Sequence, residues 1–508
     1  MIHADVLGER ARLTPDALAL VEVATGRRFT YAALDARAQR AAHVLRDTLG
    51  LAPGDRAGIL SSNRVEFIDL IFAAAKTGVV LVPLNTRLTV HELRAIAADS
   101  GLRVLFHEQA FADTATQLNA LSAIDATVSL DGDTEGCYPV LAALAPETCD
   151  RQRLDPEHLL ALLYTSGTTG APKGVMLPHR MVAWNAYNTV LSWQLRADDV
   201  SPIFTPLYHA GGLAVFLMPL FAIGGAIVLH RRFDAGEVWR AIEAERATVV
   251  LGVPAIWKLL MEAPEFAGAD LSSIRWLISG GAPLPEFIAD TYRHRGVVFR
   301  QGYGLTEVGV NCFTMTDADS SRKPGSIGKP MLMTEARISD DLGAEARVND
   351  TGELWLRGPH VCRGYWNAPG LTAAVLDADG WFHTGDVARC DDEGFYYIAG
   401  RRKDMFISGG VNVYPAEIEA ELLQSPLIAD AAVVGVPDDH WGEVGVAFVV
   451  PREGTQTDAE TVTAFLAERI ARFKLPRRVV IVGDLPRTSS GKVEKHELRR
   501  RFLQPDAQ

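Results

Sequence analysis

Short apolar runs alternate with amphipathic segments along most of the first 300 residues, and this alternation constrains the fold more than any other feature. Segments such as 32–50 and 64–77 have the apolar spacing of helices. Runs with the character of buried strands lie at 57–60, 79–84, 103–106, 226–229, 248–252 and 275–279. Strands that alternate with helices form parallel sheets with helices packed on their faces. The alternation therefore predicts a layered α/β architecture.

The alternation of apolar runs and amphipathic segments ends near residue 325. Short runs punctuated by glycine, such as 352–357 and 394–398, predict antiparallel β structure, and four charged residues follow at 401–404. Beyond them the spacing predicts helices at 415–424 and 458–472 and strands at 431–435, 444–450 and 478–482. We therefore expect a large N-terminal domain (1–400) of layered α/β subdomains plus a β-rich subdomain, a hinge (401–404), and a small α+β C-terminal domain (405–508).

Composition and targeting signals exclude several classes of protein. Lysine and arginine number 50 and aspartate and glutamate 63, so the net charge of −13 argues against a nucleic-acid partner. The five cysteines are scattered without a CxxC pair, which is typical of a reducing compartment and unlike a disulfide framework or a zinc site. Neither end of the sequence has the pattern of a targeting signal. We therefore expect a cytoplasmic protein.

Residues 210–229 form an uncharged stretch long enough to suggest a membrane span. Pro219 and the Gly224-Gly225 pair interrupt the stretch, and its last four residues, 226–229, have the character of a buried strand. A helix, a turn and a core strand account for this pattern better than a transmembrane helix. We therefore expect no transmembrane segment.

The strongest functional signal is a hydroxyl- and glycine-rich loop after the apolar run 159–163. It contains Thr165, Ser166, Gly167, Thr168, Thr169 and Lys173. Glycines let backbone N–H groups turn toward an anion, hydroxyls add donors, and lysine supplies positive charge, which together suit a polyphosphate. The loop is not a Walker P-loop, because Pro172 stands where the second glycine would be and Gly174 follows the lysine. A purely structural turn would need only two or three of these residues.

Six further motifs follow this loop in a fixed order. They are Tyr208–Gly212, Ser279–Leu284, Gln301–Glu307, Thr384–Asp386, Gly400–Asp404 and Pro486–Lys492. Together the seven motifs resemble those of the acyl-adenylate-forming enzymes, which include acyl-CoA synthetases, aryl-CoA ligases, peptide-synthetase adenylation domains and beetle luciferase. The resemblance covers about residues 30 to 500 and implies ATP, Mg²⁺ and coenzyme A as cofactors.

The resemblance implies a catalytic group of four residues. Joining a carboxylate to the α-phosphorus of ATP brings two anions together, so fixed positive charge and a metal ion must offset their repulsion. By resemblance, Lys492 bridges the attacking carboxylate and the α-phosphate, which Thr306 also holds. Glu307 and Thr168 are the implied ligands of Mg²⁺, which prefers hard oxygen atoms. His209 is the implied gate of the acyl site.

The family pattern also implies the nucleotide and coenzyme A contacts. Asp386 accepts from the ribose hydroxyls with Arg401 nearby, because an ionised carboxylate has two acceptor oxygens. Gly280, Gly281 and Ala282 offer a surface free of large side chains for adenine, with the Tyr303 ring on its other face, and Gln301 and Gly302 are further implied nucleotide contacts. The small domain is expected to be mobile and to rotate about Lys403 between half-reactions, bringing Gly409 and Gly410 to the pantetheine tunnel. Ile407 and Gly409 replace lysines of plant 4-coumarate-CoA ligases, which puts plant-type coenzyme A contacts in doubt.

The acyl pocket is the least constrained part of the sequence. Its expected walls are residues 184–188, Leu213, Phe216, Val253, Gly302, Val308 and Asn311, which are mostly apolar and include no acid or base. An amino acid substrate would call for a buried aspartate near 204–206, and none is present there. The sequence therefore predicts an apolar carboxylic acid as substrate, either a medium- or long-chain fatty acid or an aromatic acid such as a hydroxycinnamate.

Two other functions stay open from the sequence. An adenylating ligase could load an acyl carrier protein instead of coenzyme A, and a non-catalytic ATP- or acyl-binding protein could keep the same scaffold. Basic residues at Arg472 and Lys474 are candidates for contacts with the coenzyme A 3′-phosphate. Nothing in the sequence indicates the oligomeric state, and a homodimer is one of the assemblies that stay open.

Overall fold

A computed structural model gives the structure of the protein over residues 3–121, 124–149, 152–165, 172–340, 342–408, 411–438, 441–488 and 492–503. The strands of the large domain are β1 Leu18–Glu22, β2 Arg27–Thr30, β3 Arg56–Leu60, β4 Val80–Pro83, β5 Val104–His107, β6 Ala126–Ser129, β7 Leu159–Thr165, β8 Lys173–Pro178, β9 Val200–Ile203, β10 Ala226–Leu229, β11 Val249–Gly252, β12 Trp276–Ser279, β13 Phe299–Gln301, β14 Phe313–Thr314, β15 Lys329–Pro330, β16 Glu335–Ser339, β17 Thr351–Arg357, β18 Phe382–Cys390 and β19 Tyr396–Arg401. The strands that follow are β20 Phe406–Ser408, β21 Val411–Val413, β22 Ile428–Asp438, β23 Gly442–Pro451 and β24 Arg478–Ile481.

Helices cover the sheets. They are α1 Val6–Leu13, α2 Tyr31–His43, α3 Val65–Thr77, α4 Val90–Ser100, α5 Ala112–Leu121, α6 Tyr138–Leu144, α7 His179–Trp193, α8 Ala210–Gly212, α9 Met218–Ile223, α10 Ala235–Ala244, α11 Pro254–Glu262, α12 Glu286–Arg293, α13 Asp317–Arg322, α14 Pro369–Val375, α15 Pro415–Leu422, α16 Ala459–Ala467 and α17 Lys495–Leu503. In the part of the chain that the structure describes, no helix is long and apolar enough to cross a membrane.

Three sheets with parallel strands build most of the large domain. Their strand orders are β2-β1-β10-β9, β6-β5-β3-β4-β7-β8 and β11-β12-β13, and only β2 and β8 pair antiparallel with a neighbour. A four-stranded antiparallel sheet, β16-β17-β18-β19, follows, and the small domain has a mixed sheet of its own. The layered α/β fold, the β-rich subdomain and the α+β C-terminal domain are therefore confirmed. Each apolar run that the sequence predicts to be a strand forms a strand in the structure.

Helix α3 illustrates the layered core, because every one of its residues is buried. A helix that is apolar on most sides belongs in the interior, and the charged residues of α3 are therefore paired. Asp69 bonds Arg37 at 2.6 Å, and Lys76 bonds Asp5 at 2.9 Å. Burial raises the pKa of the Asp69 carboxyl to about 6 despite the arginine beside it.

Two boundaries differ from the sequence expectation. The helix expected at 458–472 ends at Ala467, and a short 3₁₀ turn occupies Arg472–Lys474. The apolar spacing continues to Ile470, which packs on the small-domain core after the chain has left the helix. Arg401 still pairs with Asp386 across β18 and β19, so the first residue of the expected hinge lies in the β-rich sheet.

The uncharged stretch 210–229 folds as a helix, a turn and a strand, as its sequence predicts. Gly224 ends α9 in the left-handed conformation, with φ of 96°, and β10 begins two residues later. Gly212 is required by close packing, because a Cβ atom there would lie 2.3 Å from the carbonyl oxygen of Pro206. The packing fixes the start of this helical segment against the loop before it.

Asn63 anchors that loop to the second sheet. Its Nδ2 donates to the Thr205 carbonyl at 3.0 Å, and its Oδ1 accepts from the Leu207 backbone N–H at 2.8 Å. Asn63 is buried, so both backbone groups would be left without a partner if the amide were removed. The loop leads directly to His209.

We expect Asn63→Ala to lower the free energy of unfolding by about 2 kcal/mol, because two buried backbone groups lose their partners. Urea denaturation followed by circular dichroism measures the change. Asn119→Ala, at an exposed position on α5, is the matched control and should shift stability by less than about 0.5 kcal/mol. An equal effect of the two substitutions would contradict the anchoring role.

Candidate active site

The candidate site lies in a cleft between the two domains, where Lys492 of the small domain faces carboxylates of the large domain. The backbone of Lys492 is tied to Thr488, whose N–H donates to the Lys492 carbonyl at 2.8 Å. The residue keeps solvent access through the open cleft, but surrounding protein desolvates its ammonium. That desolvation and the positive charge of Arg401 lower the Lys492 pKa, against the attraction of Asp386 and Glu307.

Asp386 of β18 is the buried centre of a polar triad in the β-rich sheet. Its Oδ1 pairs with Arg401 Nε at 2.6 Å, and its Oδ2 accepts from the Tyr303 hydroxyl. Burial raises the Asp386 pKa, while Arg401 and Tyr303 oppose the rise. Both oxygens retain lone pairs after these contacts, so the carboxylate can still accept from ligand hydroxyls.

Tyr365 contacts both Glu307 and Lys173. The Tyr365 hydroxyl donates to Glu307 Oε1 at 3.0 Å, and Lys173 Nζ lies 5.3 Å from the centre of the Tyr365 ring. Tyr365 is held against β8 by its neighbours, since the Trp366 N–H donates to the Gly174 carbonyl at 2.8 Å. The ring therefore couples the expected metal ligand to the expected phosphate lysine.

The turn that carries Thr306 and Glu307 is supported from behind by His360. His360 Nδ1 donates to the Val308 carbonyl at 2.7 Å, and its Nε2 lies 2.8 Å from the Thr334 hydroxyl. Burial lowers the His360 pKa to about 4, so the imidazole is neutral and can donate on one side and accept on the other. The Cys362 N–H also donates to the Glu307 carbonyl at 2.8 Å.

The expected adenine contacts form a turn at the end of β12. Gly281 has φ of 79° and is exposed together with Ala282, so the surface there is free of large side chains. Gln301 Nε2 donates to the Ala282 carbonyl at 3.2 Å, and the Gly302 N–H donates to the Ser279 carbonyl at 2.7 Å. These two bonds hold the turn beside Tyr303.

The ends of the phosphate loop are fixed, because Thr165 of β7 pairs with Lys173 of β8. The remaining loop residues proposed to bind the nucleotide or the metal lie outside the described residues: Ser166, Gly167, Thr168 and Thr169. Gly409 and Gly410, the expected coenzyme A contacts, also lie outside them. In the small domain Lys474 is paired with Glu417.

His209 stands at the start of α8 with its ring against Tyr208, the ring centres 4.7 Å apart. Its Nε2 is buried and has no hydrogen-bond partner among the described residues. Burial, together with the positive charges of Arg87 and Lys492, lowers the His209 pKa to about 4. The side chain is therefore neutral at physiological pH and faces Lys492 without adding charge.

The described residues contain no group of three or more histidine, cysteine, aspartate or glutamate side chains able to hold a metal by themselves. A site with few protein ligands fits Mg²⁺, because this ion is commonly held by one or two carboxylates together with substrate phosphates. Glu307 is the available carboxylate, and the Tyr365 hydroxyl orients it.

Sequence reasoning placed Lys492, Glu307, Asp386, Arg401 and Tyr303 in the site, and the structure brings these five together. It missed the supporting residues Tyr365 and His360. The segment 363–366 follows a β strand and carries no charge pattern that signals a phosphate site, so only its pairing with β8 reveals the role.

The chain is similar to known proteins over both of its domains. A family model described as AMP-binding enzyme matches residues 7–366, and one described as AMP-binding enzyme C-terminal domain matches 417–492. A feruloyl-CoA synthase from Amycolatopsis sp. is 41% identical over 493 residues, 97% of each chain. An indoleacetate–CoA ligase from Aromatoleum aromaticum is 40% identical over 476 residues, 93% of each chain. The crystal structure of ATP-bound MatB from Rhodopseudomonas palustris has a TM-score of 0.89 and 34% identity, covering 98% of this chain and 99% of that one.

We expect Tyr365→Phe to raise the Mg²⁺ concentration for half-maximal pyrophosphate release about tenfold or more, because a hydrogen bond to a charged group is lost. The ring and its contact with Lys173 are kept, so the KM for the acid should stay unchanged. Tyr396→Phe removes another tyrosine hydroxyl, which donates to the Ala336 carbonyl away from the cleft, and is the control. Identical Mg²⁺ titrations for wild type and Tyr365→Phe would refute the positioning role.

His209 predicts a pH dependence of stability. Its pKa is about 4 in the folded protein against 6.5 for the ordinary group, so between these values only the unfolded chain binds the proton. Stability should therefore decrease as pH falls from 6.5 toward 4. His209→Gln should make this decrease shallower, as measured by urea denaturation at several pH values. Parallel curves for the two proteins would show that His209 does not contribute.

Proposed function

The chain belongs to the AMP-binding enzyme family and is an AMP-forming acid:CoA ligase for apolar acids, and from that premise we propose that its chemistry takes place in the Lys492 cleft. In the first half-reaction a carboxylate oxygen attacks the α-phosphorus of ATP, giving acyl-AMP and pyrophosphate. In the second, the coenzyme A thiol attacks the acyl carbon, giving acyl-CoA and AMP.

One observation carries this proposal. Lys492 enters the cleft from the small domain and lies in the field of Glu307, Asp386 and Arg401, which belong to three separate elements of the large domain. Lys76, a structural lysine, is buried in ion pairs with Asp5 and Asp35 of its own domain, whereas the Lys492 ammonium is desolvated near two carboxylates of the other domain. The arrangement supports a charge that neutralises anions brought into the cleft.

Each side chain then has a proposed task in adenylation. Lys492 stabilises negative charge that grows between the carboxylate and the α-phosphate, which is stabilisation of the transition state over the ground state. Thr306 donates its hydroxyl to the α-phosphate, and Lys173 offsets the charge of the departing pyrophosphate. Asp386 and Arg401 fix the ribose. Glu307 would hold Mg²⁺, which would neutralise phosphate charge when bound.

We propose that the small domain rotates before the second half-reaction. In its present position the Lys492 side chain would obstruct the coenzyme A thiol on its way to the acyl carbon. Its departure would open that path. Arg402 to Asp404 follow β19 without belonging to either sheet and would absorb the rotation. Localisation in the cytoplasm is part of the proposal, because the five cysteines are scattered without a CxxC pair, which is typical of a reducing compartment.

The acid is proposed to be aromatic. The two relatives described above are named for feruloyl and indoleacetate, both acyl groups with a ring. The neutral His209 and the apolar segment after it support an uncharged acyl group in this chain as well. Apart from the neutral His209, the described residues 203–217 contain no acidic or basic side chain that would pair with a second charge on the acid.

We expect Lys492→Ala to lose adenylation by about 10² to 10³ fold, the range for removing one preorganised electrostatic group. Pyrophosphate release measures this step. Conversion of supplied acyl-AMP with coenzyme A should stay within about threefold of wild type, because the lysine has left the cleft by then. Lys495→Ala, which breaks a pair with Glu419 outside the cleft, is the control. Equal losses in both half-reactions would overturn the rotation.

A further inference from the structure

A second cavity lies outside the Lys492 cleft, among loops of the two sheets that contain β1 and β3. Its volume is about 580 Å³, within the roughly 300–1,000 Å³ of common ligand pockets. Most of the residues that line it are polar or charged: Ala24, Ser62, Glu108, Arg231, Arg232, Asp234, Glu237 and Arg240. None of these eight residues is among those that form the Lys492 cleft.

The cavity lies where the strand order of the six-stranded sheet reverses. From β3 the chain moves to β4 on one side and then crosses back to β5 on the other side of β3. Both pairings are parallel, so β3 and β5 end at the same edge of the sheet, and Ser62 and Glu108 follow them there. In open α/β sheets, ligands bind outside the carboxyl ends of the strands at such a switch point.

The sheet that contains β1 contributes a second part of the wall. Strands β1 and β10 are parallel, and Glu22 at the end of β1 is in register with Leu229 at the end of β10. Ala24 follows β1, and Arg231 and Arg232 follow β10. The carboxyl ends of four strands from two sheets therefore meet at this one cavity.

Glu108 fixes one arginine of the wall in place. Its side chain is nearly buried and pairs with Arg231. Glu108 Oε2 also accepts from the Ser62 N–H at 3.0 Å, which ties the loop after β3 to the same carboxylate. A guanidinium has five N–H donors, so Arg231 keeps donors for a ligand after this contact. Its position is set before the ligand arrives, which lowers the entropic cost of binding.

The other two carboxylates of the wall are engaged by groups of the protein. Asp234 accepts from the Glu237 N–H at 2.8 Å as the N-cap of α10. Glu237 Oε1 lies 2.7 Å from Nδ1 of the buried His230. These two carboxylates therefore stabilise α10 and His230, and neither pairs with the arginines that follow β10.

Arg232 is exposed at the cavity and has no hydrogen bond or ion pair among the residues that the structure describes. Together with Arg231 it concentrates positive charge at one place on a protein whose net charge is −13. The planar fork of a guanidinium matches two phosphate oxygens at once, which an ammonium cannot do. Two adjacent arginines at a switch point therefore favour a phosphate group as ligand.

The cavity and the phosphate loop lie at the same edge of the six-stranded sheet. Strand β7, which ends at Thr165 where the loop begins, is parallel to β4, and β4 is parallel to β3. Neighbouring strands are about 4.8 Å apart, so the ends of β3 and β7 are separated by about 10 Å across the sheet. A ligand held in the cavity at one end would extend along this edge toward the cleft.

We propose that this cavity binds a phosphate-bearing ligand of nucleotide size, whose phosphate is contacted by Arg231 and Arg232. Two sources share this chemistry. One is the 3′-phosphate end of coenzyme A, and this source rests on the proposed function of the chain. The other is a separate phosphorylated metabolite that acts as an effector, and this source is independent of that function.

The first measurement compares coenzyme A with dephospho-coenzyme A, which lacks only the 3′-phosphate, as acyl acceptors of the full chain with ATP, Mg²⁺ and an acid that releases pyrophosphate. If the cavity binds coenzyme A, kcat/KM for coenzyme A should exceed that for dephospho-coenzyme A by about tenfold or more, because charge-assisted hydrogen bonds are lost. Arg232→Gln should then reduce this ratio by about threefold or more. A ratio of two acceptors measured on one variant cancels any loss of folded protein.

The second measurement follows the rise in Tm with inorganic phosphate, against sodium chloride of equal ionic strength, while ATP and Mg²⁺ fill the Lys492 cleft. A separate effector predicts that Arg232→Gln raises the phosphate concentration for half of this rise by about threefold or more and leaves the acceptor ratio unchanged. Arg231→Lys keeps a positive charge beside Glu108 but loses the fork, so it should act in the same direction.

Arg12→Gln removes an exposed arginine of α1 and is the control, which should match the wild type in both measurements. A reduced acceptor ratio in the Arg232 variant supports the site and identifies coenzyme A, and a changed phosphate response alone supports the site and identifies an effector. An acceptor ratio and a phosphate response that both stay unchanged in Arg232→Gln and Arg231→Lys overturn the inference. If no acid releases pyrophosphate, the ligase function fails, and the phosphate response by itself decides the site.

Discussion

An electrostatic contact between the two domains governs this molecule: a lysine ammonium of the small domain held near two carboxylates and an arginine of the large one. Desolvation and Arg401 lower the Lys492 pKa, while Asp386 and Glu307 favour the charged form. Such a contact is stable only when opposite charges are close, and it becomes more favourable when phosphates enter the cleft. The arrangement of the domains therefore sets the electrostatics available to the reaction.

The large domain holds its half of this contact rigidly. Asp386 is fixed by Arg401 and Tyr303, and Glu307 by the Tyr365 hydroxyl. Behind them the neutral His360 joins the Thr306 turn to the rest of the core. Groups that must act on a developing charge are effective when they need no reorganisation, and these bonds supply that preorganisation.

Much of the fold follows from local pattern, and the site follows only in part. The alternation of apolar runs and helices predicted the parallel sheets, because buried parallel strands must be apolar on both faces. The motifs identified Lys492, Asp386 and Glu307, because their residue types and spacing are unusual. Tyr365 and His360 carried no such signal. A tyrosine after a glycine and a histidine after a proline are ordinary in sequence, and only their neighbours in space reveal their contacts with the Thr306–Glu307 turn.

The sequence by itself determined the layered α/β class, the family of the chain and the residue types expected at the nucleotide, since these depend on periodicity and on short motifs. The tertiary structure decided which buried groups are paired and which are not. Hydrogen-bond satisfaction depends on residues far apart in the chain, such as Asn185 and Ala214 or Tyr365 and Glu307. The hydrogen bond that orients Glu307, and the buried histidine behind its turn, are visible only once the elements have packed.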